Sequence, residues 1–305
     1  MTTLAGPEVQ GSEVLPGSVS GPSSITVRPL QPTIGAEIGS VDLRNPLSAA
    51  ARDEIKAAIL QYKVVLFRDQ DLDREQHAAF ARQFGPLYVH PSVNKPDADQ
   101  QPAAHRIAAE DTKKYADLIA RQQAEGWDPY HSDTSWRLVP TWGAVLRAVT
   151  LPEVGGDTIW VDAGLAYEGL SAEAKERLEG LHVTHDYRSA LLHSGHDYPI
   201  VAHPVVRTHR ETGRKILWVN FSQHPWIVGL DRQESRELLS IVHDEYRKPE
   251  YQVRFSWRPG SIAFWDNRAT LHYALDDYGD AARFAHRVTL RGDKPFGPAM
   301  PLPAP

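Results

Sequence analysis

The sequence contains no cysteine, and this absence removes several kinds of chemistry at once. A chain of 305 residues without a thiol has no disulfide, no thiolate zinc site and no cysteine nucleophile. Any metal ion must therefore be held by nitrogen and oxygen atoms, and the 14 histidines are the obvious source of nitrogen. The chain also has no apolar run approaching the roughly 20 residues that a membrane-spanning helix needs, so we expect no membrane partner.

The chain has no large excess of charge of either sign. The 33 Lys and Arg residues and the 39 Asp and Glu residues give a formal net charge of −6. This balance offers no general attraction to nucleic acid or to an anionic membrane surface. We therefore expect a small-molecule substrate and no nucleic-acid partner, and we expect the protein to be a homo-oligomer.

The two ends of the chain differ in composition from the rest. Residues 1–24 contain no Lys or Arg and no continuous apolar stretch, so they do not form a secretory signal peptide. Gly, Pro and Ser dominate this segment, which predicts a disordered leader. We predict a Pro-rich tail over residues 297–305 and one domain over residues 25–296. With no visible secretory or organelle address, we expect a cytoplasmic enzyme.

Between the ends, helical spacing of apolar residues alternates with short apolar strands. We predict helices over residues 49–61 (with Ser48 as a cap), 73–84, 165–168, 172–181 and 232–246. Strands are predicted over residues 25–30, 64–67, 143–149, 158–161, 203–208, 215–220, 251–257, 261–265 and 283–291. The polar segment 94–126 is predicted to be a loop or lid. No GxGxxG or P-loop is present, so a Rossmann architecture is disfavoured, and the order of elements predicts a mainly β fold with flanking helices, a sandwich or jelly roll.

The first candidate site is the triplet His131-Ser132-Asp133. Residues two apart on a strand point to the same face, so an imidazole and a carboxylate at this spacing can chelate one cation. The triplet by itself is equally what a surface histidine beside a loop aspartate would show.

The second candidate is His272, although a single histidine after an apolar strand is often an ordinary buried residue. The composition of a downstream strand favours a functional role for His272. One parity of that strand carries Arg283, Ala285, Arg287, Thr289 and Arg291, and the other carries Phe284, His286, Val288 and Leu290. The second face can pack against helices, while the first is either a solvated edge or an anion-binding wall inside a barrel.

Two histidines and one carboxylate form a facial triad that leaves coordination positions open, as in non-haem Fe(II) oxygenases. A nearby arginine suits a carboxylate cosubstrate, because its planar guanidinium pairs with two oxygens at once. Two alternatives stay open at this point. The same three ligands also suit a zinc hydrolase, and a jelly roll can be a non-catalytic binding protein.

From about residue 25 to residue 296 the chain resembles the taurine dioxygenase-like (TauD/TfdA) family of Fe(II)/2-oxoglutarate-dependent dioxygenases. The resemblance rests on segments that follow the family's order and spacing: IGAEIGSVDL, KVVLFRDQ, HSDTSW, LPEVGGDTIW, HPVVRTHRETGRKILWVN, GSIAFWDNRATLHYALDDY and RFAHRVTLRGDKPF. It implies a double-stranded β-helix (jelly roll) with Fe(II) inside one end. It also implies 2-oxoglutarate and O₂ as cosubstrates.

The resemblance also implies roles for single residues. His131, Asp133 and His272 match the iron ligands, which are the catalytic residues of the family. Thr158 and Arg283 match the positions that hold the distal carboxylate of 2-oxoglutarate.

Substrate contacts are implied in the same way. His90 and Arg287 match the positions that hold the substrate sulfonate in taurine-type members. Several aromatic residues predict a larger and more aromatic pocket than taurine requires, unless they belong to the core: Trp136, Trp218, Phe221 and Trp226.

The expected reaction is hydroxylation of a substrate C–H bond, coupled to decarboxylation of 2-oxoglutarate to succinate and CO₂. If that carbon bears a sulfonate or a sulfate ester, the product collapses to an aldehyde and releases sulfite or sulfate. The same site would also serve a phenoxyalkanoate or a biosynthetic intermediate.

On a shared strand face, Arg283 and Arg287 lie about 13 Å apart along the chain, too far to hold one small carboxylate. We therefore expect 2-oxoglutarate at Arg283 and a second, substrate anion at Arg287 and His90. The alternative is that Arg287 pairs with an acidic neighbour and the substrate is neutral.

Overall fold

The computed structural model describes residues 24–89, 105–108, 120, 123–188, 199–222 and 224–298. His90, nearly all of the predicted leader and tail, and most of the predicted lid lie outside these residues, so those predictions stay predictions. Within the described part of the chain, no helix has both the length and the apolar character needed to cross a membrane.

Two sheets form the body of the domain. The larger contains β1 (Thr26–Pro29), β2 (Ala36–Gly39), β3 (Val64–Phe67), β4 (Leu87–Tyr88), β5 (His105–Ala108), β6 (Thr141–Thr150), β13 (Ile262–Asp266) and β15 (Phe284–Arg291). Their order is β1-β2-β3-β13-β6-β15-β4, with β5 also paired to β15, and every pair except β2–β3 is antiparallel. The smaller sheet has the order β12-β7-β14, from β7 (Thr158–Asp162), β12 (Gln252–Phe255) and β14 (Thr270–Ala274).

The inner faces of the two sheets meet in a buried apolar cluster. It takes Ala263, Trp265 and Ala285 from the larger sheet and Trp160 and Val253 from the smaller one. Two short antiparallel pairs complete the β structure, β8 (His182–His185) with β9 (Val201–Pro204) and β10 (Val206–Thr208) with β11 (Lys215–Leu217). This arrangement agrees with the predicted mainly β jelly roll.

Helices cover the outside of the sheets. They are α1 (Ala49–Tyr62), α2 (Arg74–Arg82), α3 (Ala163–Gly169), α4 (Ala172–Leu178) and α5 (Arg232–Tyr246). The predicted cap is present, since Ser48 Oγ accepts a hydrogen bond from the Ala51 N–H at 3.1 Å. Asp73 and Asp231 begin α2 and α5 with capping boxes, which satisfy the first amide groups of each helix.

The outer face of β15 packs against the helices, as its sequence parity predicts. Val288 and Leu290 belong to the cluster that holds Ile55 of α1 and Phe80 of α2. Ala285, on the other parity, lies between the two sheets. The interpretation of Arg283 and Arg287 as part of a solvated edge is therefore wrong, because their face of β15 points into the barrel.

A buried ion pair joins the first helix to the smaller sheet. Lys63, just after α1, lies 2.9 Å from Asp162 Oδ2 and donates to the Thr33 carbonyl at 2.8 Å. Asp162 Oδ1 accepts from the amides of Gly164 and Leu165 and so begins α3. Both partners are almost fully buried, so loss of either would leave a charge without its partner.

The structure differs from the predicted elements at several places. The short strands β2, β4 and β8 were not predicted, and three further differences concern larger parts of the fold. The predicted strand 203–208 is two strands, because Val205 changes partner: its N–H bonds to Leu181 and its carbonyl to Trp218. Residues 105–108, predicted as loop, form β5 on the edge of β15. Residues 270–274 form β14, which the sequence did not reveal as a strand.

Buried histidines make the stability of the fold depend on pH. Burial lowers the pKa of His77 to about 3 and that of His203 to about 4. Below about pH 6.5 the unfolded chain binds more protons than the folded one, so the free energy of unfolding falls as pH falls from there toward 4.

We expect His77→Gln, which keeps a donor for the Val145 carbonyl, to reduce this pH dependence by about 1.4 kcal/mol per pH unit between pH 4.5 and 6. Urea unfolding of the metal-free protein at several pH values measures the slope. An identical slope in wild type and variant would contradict the assignment.

Candidate metal centre

The two candidate histidines face each other across a short antiparallel bridge. The His131 N–H donates to the His272 carbonyl at 3.0 Å, and the His272 N–H donates to the His131 carbonyl at 2.8 Å. The centroids of the two imidazole rings lie 4.3 Å apart. His272 lies on β14, which pairs on its other side with Trp160 of β7, so the bridge adds the His131 segment to the edge of the smaller sheet.

Asp133 completes a cluster with these two histidines. One ligand atom from each of the three residues lies within 4.8 Å of the others, and this is the one such cluster found in the described ranges. Asp133 Oδ2 lies 3.9 Å from His272 Nε2. The chain then turns sharply at Thr134, which has a φ of 54°, an uncommon value for a residue with a side chain.

The donor set fits a ferrous ion. His131 Nδ1 donates to the Pro129 carbonyl at 3.1 Å, which leaves Nε2 available as a ligand. His272 turns its Nε2 toward Asp133 Oδ2, 3.9 Å away, so Nε2 is the atom that can join this donor set. Burial lowers the pKa of His131, and it lowers the pKa of His272 to about 3, so both imidazoles are held in the neutral form that binds metals.

Arg283 lies against the segment that contains Thr158. Its Nε donates to the Gly156 carbonyl at 3.3 Å, and the residue is only 8% exposed. It forms no ion pair with any residue in the described part of the chain, and burial lowers its pKa. Thr158, also buried, opens β7, and its Oγ1 accepts from Trp257 Nε1 at 3.0 Å.

Gly156 leaves the space that the Arg283 side chain occupies. Its φ is 71°, and a Cβ there would lie 3.1 Å from Arg283 Nε and 3.2 Å from Arg283 Cδ. The Gly156 N–H donates to Asp277 Oδ1 at 2.7 Å, which fixes this close approach from the other side. The glycine therefore determines how closely the arginine can pass.

Arg287 contacts the candidate metal ligand directly. Its Nη1 donates to Asp133 Oδ1 at 2.5 Å, so the acidic neighbour that the sequence left as an alternative is Asp133 itself. Its Nε is buried and has no hydrogen-bond partner among the residues the structure describes. The Nε and Nη2 edge, the one that pairs with carboxylates side-on, is not used by Asp133.

The predicted aromatic residues divide into different environments. Trp136 is 4% exposed and stacks on Tyr187, with ring centroids 5.3 Å apart and planes 6° apart. Trp218 and Phe221 are buried core residues, whereas Trp226 is 42% exposed. Of these four, Trp136 is the one that lies in the turn after Asp133.

Two residues close to the site had no predicted role. Gly156 belongs to a GGDT segment, and the paired glycines were a signal that a side chain passes close by. Asn267 accepts hydrogen bonds from the Ser132 hydroxyl and from the Asp133 N–H, and nothing in its sequence position indicates this.

A jelly roll that brings together two histidines, an aspartate and a buried arginine, with no ion pair to that arginine among the described residues, is the arrangement expected of a non-haem metal oxygenase. The family described as "Taurine catabolism dioxygenase TauD, TfdA family" matches residues 26–290. The chain belongs to this family.

Individual relatives agree with the family assignment. The sulfate ester dioxygenase of Pseudomonas putida, dependent on alpha-ketoglutarate (2-oxoglutarate), is 32% identical over 291 residues, 90% of this chain and 91% of the relative. The (S)-phenoxypropionate/alpha-ketoglutarate dioxygenase of Sphingobium herbicidovorans is 35% identical over 263 residues, 81% of this chain and 88% of the relative. The crystal structure of a taurine dioxygenase from Burkholderia xenovorans superposes with a TM-score of 0.77 and 39% identity, covering 90% and 93% of the two chains.

The resemblance, the jelly-roll fold and the enzyme class are thereby confirmed. The protein is a 2-oxoglutarate-dependent dioxygenase that uses Fe(II) and O₂ and acts on a small molecule. The alternatives of a zinc hydrolase and a non-catalytic binding protein do not agree with membership of this family.

Replacing any of the three clustered residues should remove metal binding. We expect His131→Ala, His272→Ala and Asp133→Ala each to weaken Mn(II) binding by more than about 100-fold, because the site loses one of three ligands. Asp133→Glu should also bind poorly, since the longer side chain misplaces the oxygen.

Titration calorimetry without 2-oxoglutarate measures the affinity. His182→Gln, on β8, is the matched histidine control and should bind as wild type does. Wild-type affinity in any of the alanine variants would remove that residue from the metal site.

Proposed function

We propose that His131, Asp133 and His272 hold the Fe(II) ion and that Arg283, with Thr158, holds the distal carboxylate of 2-oxoglutarate. The observation that carries the proposal is Arg283. A guanidinium that is 8% exposed and has no ion-pair partner among the described residues is costly unless an anion joins it. A dicarboxylate cosubstrate supplies that anion, and the hydroxyl of Thr158, two residues after the Gly156 that contacts Arg283, can donate a hydrogen bond to it.

The bound iron, with 2-oxoglutarate and O₂, supplies the oxidation of a substrate C–H bond, with succinate and CO₂ as coproducts. The chain's own residues prepare this step. The buried histidines stay neutral and so remain ligands at physiological pH. Arg283 orients the cosubstrate, and Arg287 holds one oxygen of Asp133, leaving Oδ2 on the side of His272.

The prime substrate is proposed to carry an anionic group, held by Arg287 and His90. The support is the second edge of the Arg287 guanidinium, whose buried Nε has no partner among the described residues. One arginine can donate Nη1 to Asp133 and still pair with two oxygens through Nε and Nη2. The contact with Asp133 is therefore compatible with the proposed anion site.

Among anionic substrates we favour a sulfate ester or a sulfonate, with release of sulfate or sulfite. The support is the similarity to a sulfate ester dioxygenase over nine-tenths of both chains. A phenoxyalkanoate is the second candidate, favoured by the similarity to a phenoxypropionate dioxygenase and by the Trp136–Tyr187 stack, which offers an aromatic surface. A homo-oligomeric state, the absence of a nucleic-acid partner and a cytoplasmic location stay predictions.

A substrate panel tests the proposal directly. Purified enzyme with Fe(II) and 2-oxoglutarate is given alkyl sulfates, alkyl sulfonates and aryloxy acids, and substrate-dependent succinate formation is measured. We expect alkyl sulfates to stimulate succinate formation and to release sulfate in equal amount. Stimulation by aryloxy acids alone would select the second candidate, and equal turnover of an anionic substrate and its neutral isostere would contradict the anion site.

Arg283→Ala should raise the KM for 2-oxoglutarate. A lost charge-assisted, bidentate contact costs about 2–4 kcal/mol, or roughly 30- to 1000-fold in KM. Arg283→Lys should restore only part of the affinity, because an ammonium lacks the planar fork. Gly156→Ala should raise the same KM more modestly, since its methyl group displaces the arginine.

Succinate formation at varied cosubstrate concentration measures this KM. The matched control is Gly180→Ala, a glycine whose added Cβ would meet no neighbour within 4 Å. An unchanged KM in Arg283→Ala would show that another arginine holds the cosubstrate.

Arg287→Ala should raise the KM for an anionic substrate by roughly 10-fold or more and leave the KM for the cosubstrate nearly unchanged, because the two anions use different arginines. Steady-state kinetics with the best substrate of the panel measures both constants. If the KM for the cosubstrate rises and that for the substrate does not, the two arginines have the opposite assignment.

A further inference from the structure

Asn267 is a buried residue of the turn between β13 and β14, and it belongs neither to the three metal-binding side chains nor to the 2-oxoglutarate site. It is 1% exposed. We propose that Asn267 is the positioning residue that sets the place of Asp133 relative to the two histidines. The proposal rests on the metal site proposed above.

Asn267 holds two consecutive residues of the His131-Ser132-Asp133 segment. Its backbone carbonyl accepts from the Ser132 hydroxyl at 2.6 Å. Its side-chain Oδ1 accepts from the Asp133 N–H at 3.3 Å. Asn267 thus contacts the segment through both its main chain and its side chain. The first contact is with Ser132, which lies between the two proposed ligands, and the second is with Asp133, itself a proposed ligand.

Tryptophans from other strands and loops hold Asn267 in turn. Its Oδ1 also accepts from Trp265 Nε1 at 2.9 Å, and its carbonyl accepts from Trp218 Nε1 at 3.2 Å. Its own N–H donates to the Trp142 carbonyl at 2.8 Å. Because these partners are buried core residues, Asn267 has no room to follow a movement of Asp133.

The neighbours of Asn267 along the chain are fixed as well. Asp266 and Arg268 form a buried ion pair, with Nη2 and Oδ2 2.6 Å apart, and His209 Nε2 lies 3.1 Å from the same carboxylate oxygen. These contacts fix the turn around Asn267, which lies five residues before His272. The turn that leads into one histidine ligand therefore also holds the carboxylate ligand.

The bridge to His272 fixes His131, but it does not reach Asp133. Arg287 holds one carboxylate oxygen of Asp133, but beyond His131 the chain turns at Thr134, so the position of the Asp133 backbone depends on its own contacts there. Without Oδ1 of Asn267, the buried Asp133 N–H would lose this hydrogen bond, and the segment would shift from its present position. Residues that orient metal ligands typically change metal affinity by about 10- to 100-fold when they are lost.

The test compares metal binding in Asn267→Ala, Asn267→Asp and the control Asn220→Ala. Asn220 is a buried asparagine whose amide donates to Ser135 Oγ at 2.8 Å, in the same turn but beyond Asp133. Mn(II) affinity is measured by calorimetry without 2-oxoglutarate or substrate. The absorption spectrum of the Co(II) form reports ligand geometry, and urea unfolding of the metal-free proteins reports stability.

We expect Asn267→Ala to bind Mn(II) about 10- to 100-fold more weakly and to alter the Co(II) spectrum. Asn220→Ala should lose stability but stay within about 3-fold of wild-type affinity, because its contact lies beyond Asp133. Asn267→Asp, which keeps Oδ1, should regain most of the affinity. If Asn267→Ala binds as wild type, or if both alanine variants lose the same affinity, the positioning role is wrong.

A milder variant protects the test against misfolding. Ser132→Ala removes only the hydroxyl that donates to the Asn267 carbonyl, and it should weaken Mn(II) binding by about 3- to 10-fold with the same spectral change. Wild-type affinity in Ser132→Ala together with an unfolded Asn267→Ala would overturn the proposal. Wild-type affinity in His131→Ala would instead overturn the metal site itself.

Discussion

The reciprocal pair of backbone hydrogen bonds between His131 and His272 is the constraint on which the site depends. These bonds bring together two positions 141 residues apart in sequence, and they set the imidazole rings 4.3 Å from each other. The bridge exists because β14 already pairs with β7 and offers its free edge to the extended segment at His131. The pairing of β14 within the smaller sheet therefore brings together two of the three proposed ligand side chains.

Buried charges in this fold are stabilised in different ways. Lys63 pairs with Asp162 and Arg268 with Asp266, whereas the guanidinium of Arg207, with no ion pair among the described residues, lies over the Trp218 ring, 4.5 Å from its centroid. At the candidate site, Arg283 is buried with no ion pair among the described residues. The Nε atom of Arg287 is buried there without a hydrogen-bond partner among the same residues. A folded protein keeps such arginines at a cost in stability, and bound anions offset that cost. At Arg283 and Arg287, the proposed cosubstrate and substrate anions would provide this compensation.

Local pattern predicted the helices well, because capping and apolar spacing act within a few residues. The helix at residues 232–246 has the predicted bounds, and Ser48 caps α1 as expected. Strands were harder to predict. β5 and β14 depend on a partner far along the chain, and Val205 divides a predicted strand because its neighbours change from β8 to β11. Pairing between distant segments leaves little trace in a short window of sequence.

The sequence by itself determined the chemistry that is available. The absence of cysteine, the His-x-Asp triplet, the later His272 and the alternating arginines of β15 pointed to nitrogen and oxygen ligands beside anion-binding groups, and the family segments gave these residues their order. Only the tertiary structure decided which of these groups meet. It put Arg287 against Asp133, placed Gly156 under Arg283 and made Asn267 a support of the His131-Ser132-Asp133 segment. Hydrogen bonds and close approaches of this kind join residues more than a hundred positions apart, and they arise only when the sheets have brought those residues together.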